Sequence, residues 1–212
     1  MKLFGTPGSP FVRKVRVFVA EKNIPCEYIV ARASTPDSPV PAFNPLAKIP
    51  TLVRDDGRAL YDSPVIVEYL DAFGSGAKLI PEDFESRIEV KRWEALADGI
   101  AEATVAINHE YREPAEKQRS AAWFAKQQSK IDRGLALLEK DLGTKDWCFG
   151  GRLTLADIST GYALGYLDFA LPDYAWRGSH PALARLAARL AARTSFSTTG
   201  HGKRARNNIN PA

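Results

Sequence analysis

The first eighty residues of this chain alternate between strand-like and helix-like patterning, and from Ser86 onward the strand signals vanish. That switch confines the fold to a small α/β unit followed by an all-helical one. Lys2 to Phe4 reads as a short strand, Pro10 to about Lys22 as a helix, and Cys26-Glu27-Tyr28-Ile29-Val30 as a second strand. Pro36, Pro39, Pro41 and Pro45 mark irregular chain with at most a broken helix. Thr51-Leu52-Val53 and Ala59-Leu60-Tyr61 flank Asp55-Asp56-Gly57-Arg58, where Asp-Gly signals a hairpin. Ser63-Pro64 then opens a second helix through Tyr69 and Leu70. The order β-α-β then β-β-α predicts a mixed four-stranded sheet with helical cover.

Gly74, Gly76 and Pro81 mark a linker. The expected organisation is an α/β domain over 1–74, a linker over 75–85, an all-α domain over 86–196 and a loosely ordered basic tail over 197–212. Four apolar stripes define the helical part. Trp93, Ala97, Ile100, Ile107 and Tyr111 trace the first, broken by Pro114. Phe124, Ile131, Leu135, Leu138 and Leu142 trace the second, closed by Gly143. Leu155, Ile158, Tyr162, Tyr166 and Phe169 form the third, where Gly161 and Gly165 imply close backbone packing. Leu183, Leu186 and Leu190 form the fourth, started by Pro181.

Charge and cysteine usage narrow the function classes. Three of the four formal net positive charges come from Lys203, Arg204 and Arg206, so no nucleic-acid-binding face is expected. Arg185, Arg189 and Arg193 read as a solvated helix face. No apolar run reaches the ~18 residues of a membrane span, and the N-terminus does not read as a signal peptide, so no membrane partner and a cytoplasmic location are expected. Cys26 and Cys148 are far apart and read as free thiols. His109, His180 and His201 do not cluster with them, so no metal site is expected.

Four segments carry candidate chemistry. In Ser9-Pro10-Phe11-Val12, Ser9 is a good N-cap and Pro10 suits the first helical turn. Its hydroxyl is either a plain cap or part of a site for a thiolate or other small anion. In Asn44-Pro45-Leu46-Ala47-Lys48-Ile49-Pro50, a cis Ile49–Pro50 bond would turn the Ile49 backbone outward to pair with a peptide-like ligand; a trans proline would merely start an edge strand. In Asp62-Ser63-Pro64, Ser63 is read as capping the second helix, and the pair suits the ammonium and carboxylate of an amino-acid head group as well as an ordinary helix start. Thr154 and Asp157 fit a capping box, with Leu153 and Ile158 as a hydrophobic staple, and that segment is read as structural. No hydrolase triad, phosphate loop or dinucleotide fingerprint is readable.

These segments, in this order and spacing, resemble the cytosolic glutathione transferase family, of the bacterial serine-type kind, from Lys2 to about Phe196. The resemblance implies a thioredoxin-like first domain, a GST-type all-α second domain, a homodimer and a cis bond at Ile49–Pro50. It implies glutathione as co-substrate, with no permanently bound cofactor. Ser9 matches the serine that donates to the glutathione sulfur. Ile49, before Pro50, looks like the residue that pairs by its backbone with the cysteinyl part. Lys48 is similar to a basic residue near the glycine carboxylate, though it also reads as a surface lysine. Asp62 and Ser63 match the pair that holds the γ-glutamyl head, and Phe11 belongs to the same glutathione-binding set. Asp98 is the candidate cross-subunit contact to glutathione.

A small electrophile is expected between the domains, walled by Phe11, Ile107, Tyr111, Tyr166 and Phe169. Serine in place of the cysteine of related classes argues for thiolate activation over disulfide exchange. Ala47 stands where a glycine is frequent. The expected activity is glutathione transfer to a small hydrophobic electrophile, in detoxification, with peroxidase or isomerase chemistry as side activities. The rival is a regulatory, partner-binding protein on the same fold without turnover.

Overall fold

The computed structural model describes residues 1–33, 35–74 and 76–201. Four strands, β1 (Lys2–Gly5), β2 (Glu27–Val30), β3 (Thr51–Val53) and β4 (Ala59–Leu60), form one sheet in the order β2-β1-β3-β4. β1 runs parallel to β2 and antiparallel to β3, and β3 runs antiparallel to β4. The sheet is therefore mixed, as the β-α-β then β-β-α order requires. Two helices belong to it: α1 (Pro10–Glu21) joins the parallel pair, and α2 (Ser63–Asp71) follows β4. Between β3 and β4, Gly57 takes a φ of 81° and its N–H reaches the Arg54 carbonyl, closing the expected turn.

The remaining helices are α3 (Phe84–Glu110), α4 (Ala121–Leu142), α5 (Leu155–Ala170), α6 (Pro181–Ala191) and α7 (Thr194–Ser197). Each of the first four begins or ends where the sequence places a cap or breaker. Ser120 caps α4 by accepting from the Trp123 N–H, and Gly143 ends it at a φ of 54°. The Thr154–Asp157 capping box forms at the start of α5. Its Asp157 carboxylate also accepts from the Cys148 N–H at 2.7 Å, tying down the preceding loop. α7, only four residues long, falls below one apolar period and was not foreseen.

One continuous apolar core joins the sheet, α1 and α2 to the helical part, from Leu3, Phe18 and Ile66 to Trp93, Leu135 and Leu164. α5 is its centre: every residue from Leu155 to Leu164 is buried. Close approach explains its glycines. A Cβ on Gly161 would lie 2.5 Å from the Leu190 side chain and 2.8 Å from the Phe196 ring. A Cβ on Gly165 would lie 2.3 Å from the Arg13 guanidinium.

Two details differ from expectation. Arg193 does not lie on a solvated face: its guanidinium pairs with Glu21 of α1 at 2.7 Å, and Ser195 donates to the same carboxylate at 2.5 Å. Arg185 and Arg189 also find partners, at the Gly143 carbonyl and Asp146. The expected loose tail is packed through His201, because Thr199 and His201 are both buried; residues 202–212 lie outside the described residues. In the connecting segment Leu79 and Ile80 are buried, and their N–H groups donate to the Asp71 carboxylate at 3.0 and 3.1 Å.

Candidate active site

The strand registers bring three expected segments to one end of the sheet. Phe4 faces Thr51 across β1 and β3, and Leu52 faces Leu60 across β3 and β4. Continued by one step and by two steps, these registers set Gly5 and Asp62 on either side of Pro50. The loop Thr6–Gly8 leaves from that same end and delivers Ser9 at the start of α1. The Ile49–Pro50 peptide is cis, as expected. Among the described residues, neither the Ile49 N–H nor its carbonyl forms a backbone hydrogen bond.

Ser9 is an N-cap whose Oγ accepts from the Val12 N–H at 3.4 Å. Its own N–H donates to the Thr6 carbonyl, and Pro10 has no N–H to offer. That leaves the Phe11 N–H without a backbone acceptor among the described residues, and the Ser9 proton without a partner. Both stand at the positive end of a twelve-residue helix.

Asn44 braces the neighbouring loop. It is buried, its Nδ2 donates to the Lys48 carbonyl at 3.0 Å, and its Oδ1 accepts from the Leu46 N–H at 3.0 Å. Thr51 donates to the same Lys48 carbonyl at 2.9 Å. The sequence signal was present in Asn44-Pro45, a frequent turn start. Ala47 sits at a φ of 49°, the left-handed region that glycine reaches freely; an alanine there costs about 1 kcal/mol.

A cleft of about 750 Å³ opens where this sheet end meets the helical part, within the usual range for a small-molecule site. Ser9, Phe11 and Ile49 line it from one side, and Val105, His109, Arg112 and Tyr166 from the other. A second recess of about 680 Å³ lies at the opposite end of the sheet, around Met1, Cys26 and Asp55, and takes none of the expected residues.

The Glutathione S-transferase N-terminal domain matches residues 3–76, and the Glutathione S-transferase C-terminal domain matches residues 121–189. The chain is 37% identical over 201 residues, 94% of its length, to a protein of Escherichia coli K12 described as the uncharacterized GST-like protein YibF, and covers 98% of it. This chain belongs to the glutathione S-transferase family. A glutathione S-transferase structure from Methylobacillus flagellatus, with GSH bound, superposes with a TM-score of 0.90 at 44% identity, over 94% of this chain and 98% of that one. A family member from Pseudomonas fluorescens Pf-5, with bound S-(propanoic acid)-glutathione, superposes with a TM-score of 0.83 at 38% identity, over 93% and 97%.

For a glutathione transferase the remaining expected residues divide. Ser63 is buried and is the first residue of α2; the N-cap is Asp62, not Ser63, because the chain turns helical one residue earlier than the sequence suggested. Asp62 makes no capping bond and is exposed, which leaves its carboxylate free of helix duty. Lys48 is also exposed. Neither Lys48, Pro50, Asp62 nor Ser63 lines the cleft itself; they flank it along the sheet end.

The electrophile wall needs correction. Phe11 and Tyr166 line the cleft, but Ile107 is buried in the main core. Tyr111 stacks on Phe124 at 5.3 Å, and Phe169 stacks on His201 at 5.1 Å. The reason is rotational: on α3 the stripe Ile100-Ala103-Ile107 faces the core, and the adjacent stripe of Val105 and His109, continued by Arg112 in the turn beyond the helix, faces the cleft. Arg32, Val105, His109 and Arg112 are among the lining residues that sequence reasoning missed.

Asp98, expected to reach the partner subunit, is engaged within its own chain. Both its oxygens accept from Lys14 Nζ, at 2.9 and 3.0 Å, and the Tyr162 hydroxyl donates to it. Burial raises its carboxyl above the ordinary value, while Lys14 works in the other direction. His201 packs its ring against Tyr166 and Phe169, behind the loop that delivers Ser9. Its Nδ1 lies 3.2 Å from the Pro7 carbonyl, and burial, with Arg13 nearby, lowers the imidazole to about 4. No group of metal-ligating side chains occurs among the described residues, and no described helix is long and apolar enough to cross a membrane.

Proposed function

We propose that this glutathione transferase holds the tripeptide along the sheet end and activates its thiol at Ser9. The observation that carries this reading is the pairing of a Ser9 hydroxyl whose proton is uncommitted with a free Phe11 N–H at the start of α1, inside the cleft. The Ile49 backbone pairs with the cysteinyl unit as an added strand would. Asp62 and Ser63 take the γ-glutamyl head, and Lys48 the glycine carboxylate. An ordinary thiol titrates near 8.5, so a donor and a helix N-terminus that favour the anion raise the thiolate fraction at neutral pH. The thiolate then attacks a small electrophile: the carbon–sulfur bond forms, and the leaving group departs with its electron pair. Relatives with bound GSH and S-(propanoic acid)-glutathione support the same pairing of site and ligand.

The functional unit is a homodimer. Val65 and Phe73 beside α2's buried face, and Phe84 and Ile88 on α3, are exposed large apolar residues. Glu68 links the two helices by pairing with Arg87 and Lys91, which sets these residues on adjoining elements that a second copy would cover. Two free cysteines suit a reducing, cytoplasmic setting and a role in detoxification.

Glutathione titrated against the full chain should raise Tm, and no shift at millimolar glutathione would favour the regulatory rival. In Ser9→Ala the glutathione-induced shift should persist, the ultraviolet absorbance of bound thiolate should fall at neutral pH, and kcat/KM should drop about a hundred-fold. Unchanged thiolate absorbance in the variant would refute the role of Ser9.

A further inference from the structure

We propose that the cleft selects an electrophile carrying a carboxylate beside an apolar body, with Arg112 and His109 as its specificity-determining residues. This rests on the transferase reading of the site. Among the described residues, the cleft lining contains Arg32, His109 and Arg112 and no Asp or Glu. Among the described residues, the guanidinium groups of Arg32 and Arg112 form no ion pair and no side-chain hydrogen bond. By contrast Arg92, Arg177, Arg189 and Arg193 are all committed to carboxylates. Two exposed cations with no protein partner, facing a concave surface, are what a bound anion would meet.

The placement of Arg112 separates that anion from glutathione. Every group proposed to hold the tripeptide lies in the first 63 residues, along the sheet end. His109 lies in the last turn of α3 and Arg112 just beyond the helix, on the opposite wall with Val105 and Tyr166. They sit across from Ser9, on the side from which a second substrate reaches the sulfur. His109 is held below its usual value by burial and by Arg112 beside it, so at neutral pH it is an uncharged hydrogen-bonding group. Arg112 then supplies the charge and a planar pair of donors that suits a carboxylate. Val105, Phe11 and Tyr166 supply the apolar surface for the body.

Electrostatics makes this arrangement necessary for an anionic electrophile and idle for a neutral one. A carboxylate approaching a thiolate is repelled in a sheltered cleft, where like charges are weakly screened. A fixed guanidinium offsets that repulsion without reorganising.

The test uses the full chain, glutathione, and two matched electrophiles: a chloronitrobenzoate, with chlorine ortho to the nitro group, and its methyl ester. In both, the sulfur–carbon bond forms at the chlorine-bearing carbon, chloride leaves with the electron pair, and the thiol proton passes to buffer. Each rate is divided by its uncatalysed rate with glutathione. The acid should show at least a ten-fold larger enhancement than the ester, and Arg112→Gln should bring the ratio close to one by raising KM for the acid. Lys126→Gln, which removes a positive charge from the exposed face of α4, should leave the ratio unchanged.

A second readout needs no turnover. The chemically prepared glutathione conjugates of acid and ester are titrated calorimetrically, and the acid conjugate should bind about ten-fold more tightly to the native chain but equally to Arg112→Gln. Equal binding to the native chain, or an Arg112→Gln effect shared by acid and ester, overturns the proposal and leaves the transferase reading standing. Failure of both conjugates and of glutathione itself to bind overturns the reading beneath it.

Discussion

Lys14 is a fully buried cation, held by Glu94 at 2.9 Å and by both oxygens of Asp98. Such a cluster is costly to break from one side, because the partner charge stays buried. Glu94 retains Lys91 when Lys14 is removed, whereas Asp98 keeps only the Tyr162 hydroxyl. Lys14→Met should therefore lower the unfolding free energy by about 3–5 kcal/mol, measured by urea denaturation. Adding Asp98→Asn should recover a large part of it, and equal stability of Lys14→Met and the native chain would refute this account. At this scale the sequence was informative only where a residue acts through its chain neighbours. Ser9 could be read as a cap from Pro10 and Val12, and Pro50 from its place before a strand. Lys14, Arg32 and Arg112 could not, because each draws its meaning from groups many residues away.

Among the elements, α5 is the most constrained, since it packs on α3, α1 and α6 together. Gly161 permits the approach of Leu190 and Phe196. Alanine would gain about 0.5–1 kcal/mol of backbone preference in a helix, but a β-branched side chain must displace buried neighbours at a cost of about 1–3 kcal/mol. Gly161→Val should lower Tm by several degrees in calorimetry, and an unchanged Tm would mean the α5–α6 contact yields. Periodicity located four of the five helices after residue 84, because each spans several turns and has a cap or breaker at its ends. It could not say which of two neighbouring stripes on α3 meets the cleft. Apolar character pointed to Ile107, yet the core claims the more apolar stripe, and the cleft receives Val105, His109 and Arg112.

For the molecule as a whole, the exposed patch around Phe84, Ile88, Val65 and Phe73 is the surface that a homodimer would bury. Phe84→Glu changes an exposed residue, so folding should be unaffected while a charge enters the proposed interface. Size-exclusion chromatography with light scattering should move from twice the chain mass toward 23.3 kDa; a variant that stays dimeric would place the interface elsewhere. The division into a mixed-sheet part and a helical part was legible from the change of period near Ser86. Their joining into one core was not, because Glu21 with Arg193 and Lys14 with Glu94 are contacts across long sequence separation.

The contact between His201 and the Pro7 carbonyl spans almost the full described chain. During synthesis Thr6–Gly8, the segment that delivers Ser9, leaves the ribosome well before the ring that packs behind it, which follows Pro7 by 194 residues. Domains fold as units while the chain elongates, so the sheet can form early. The contact behind that segment, however, is made only once synthesis has reached His201, beyond the last long helix.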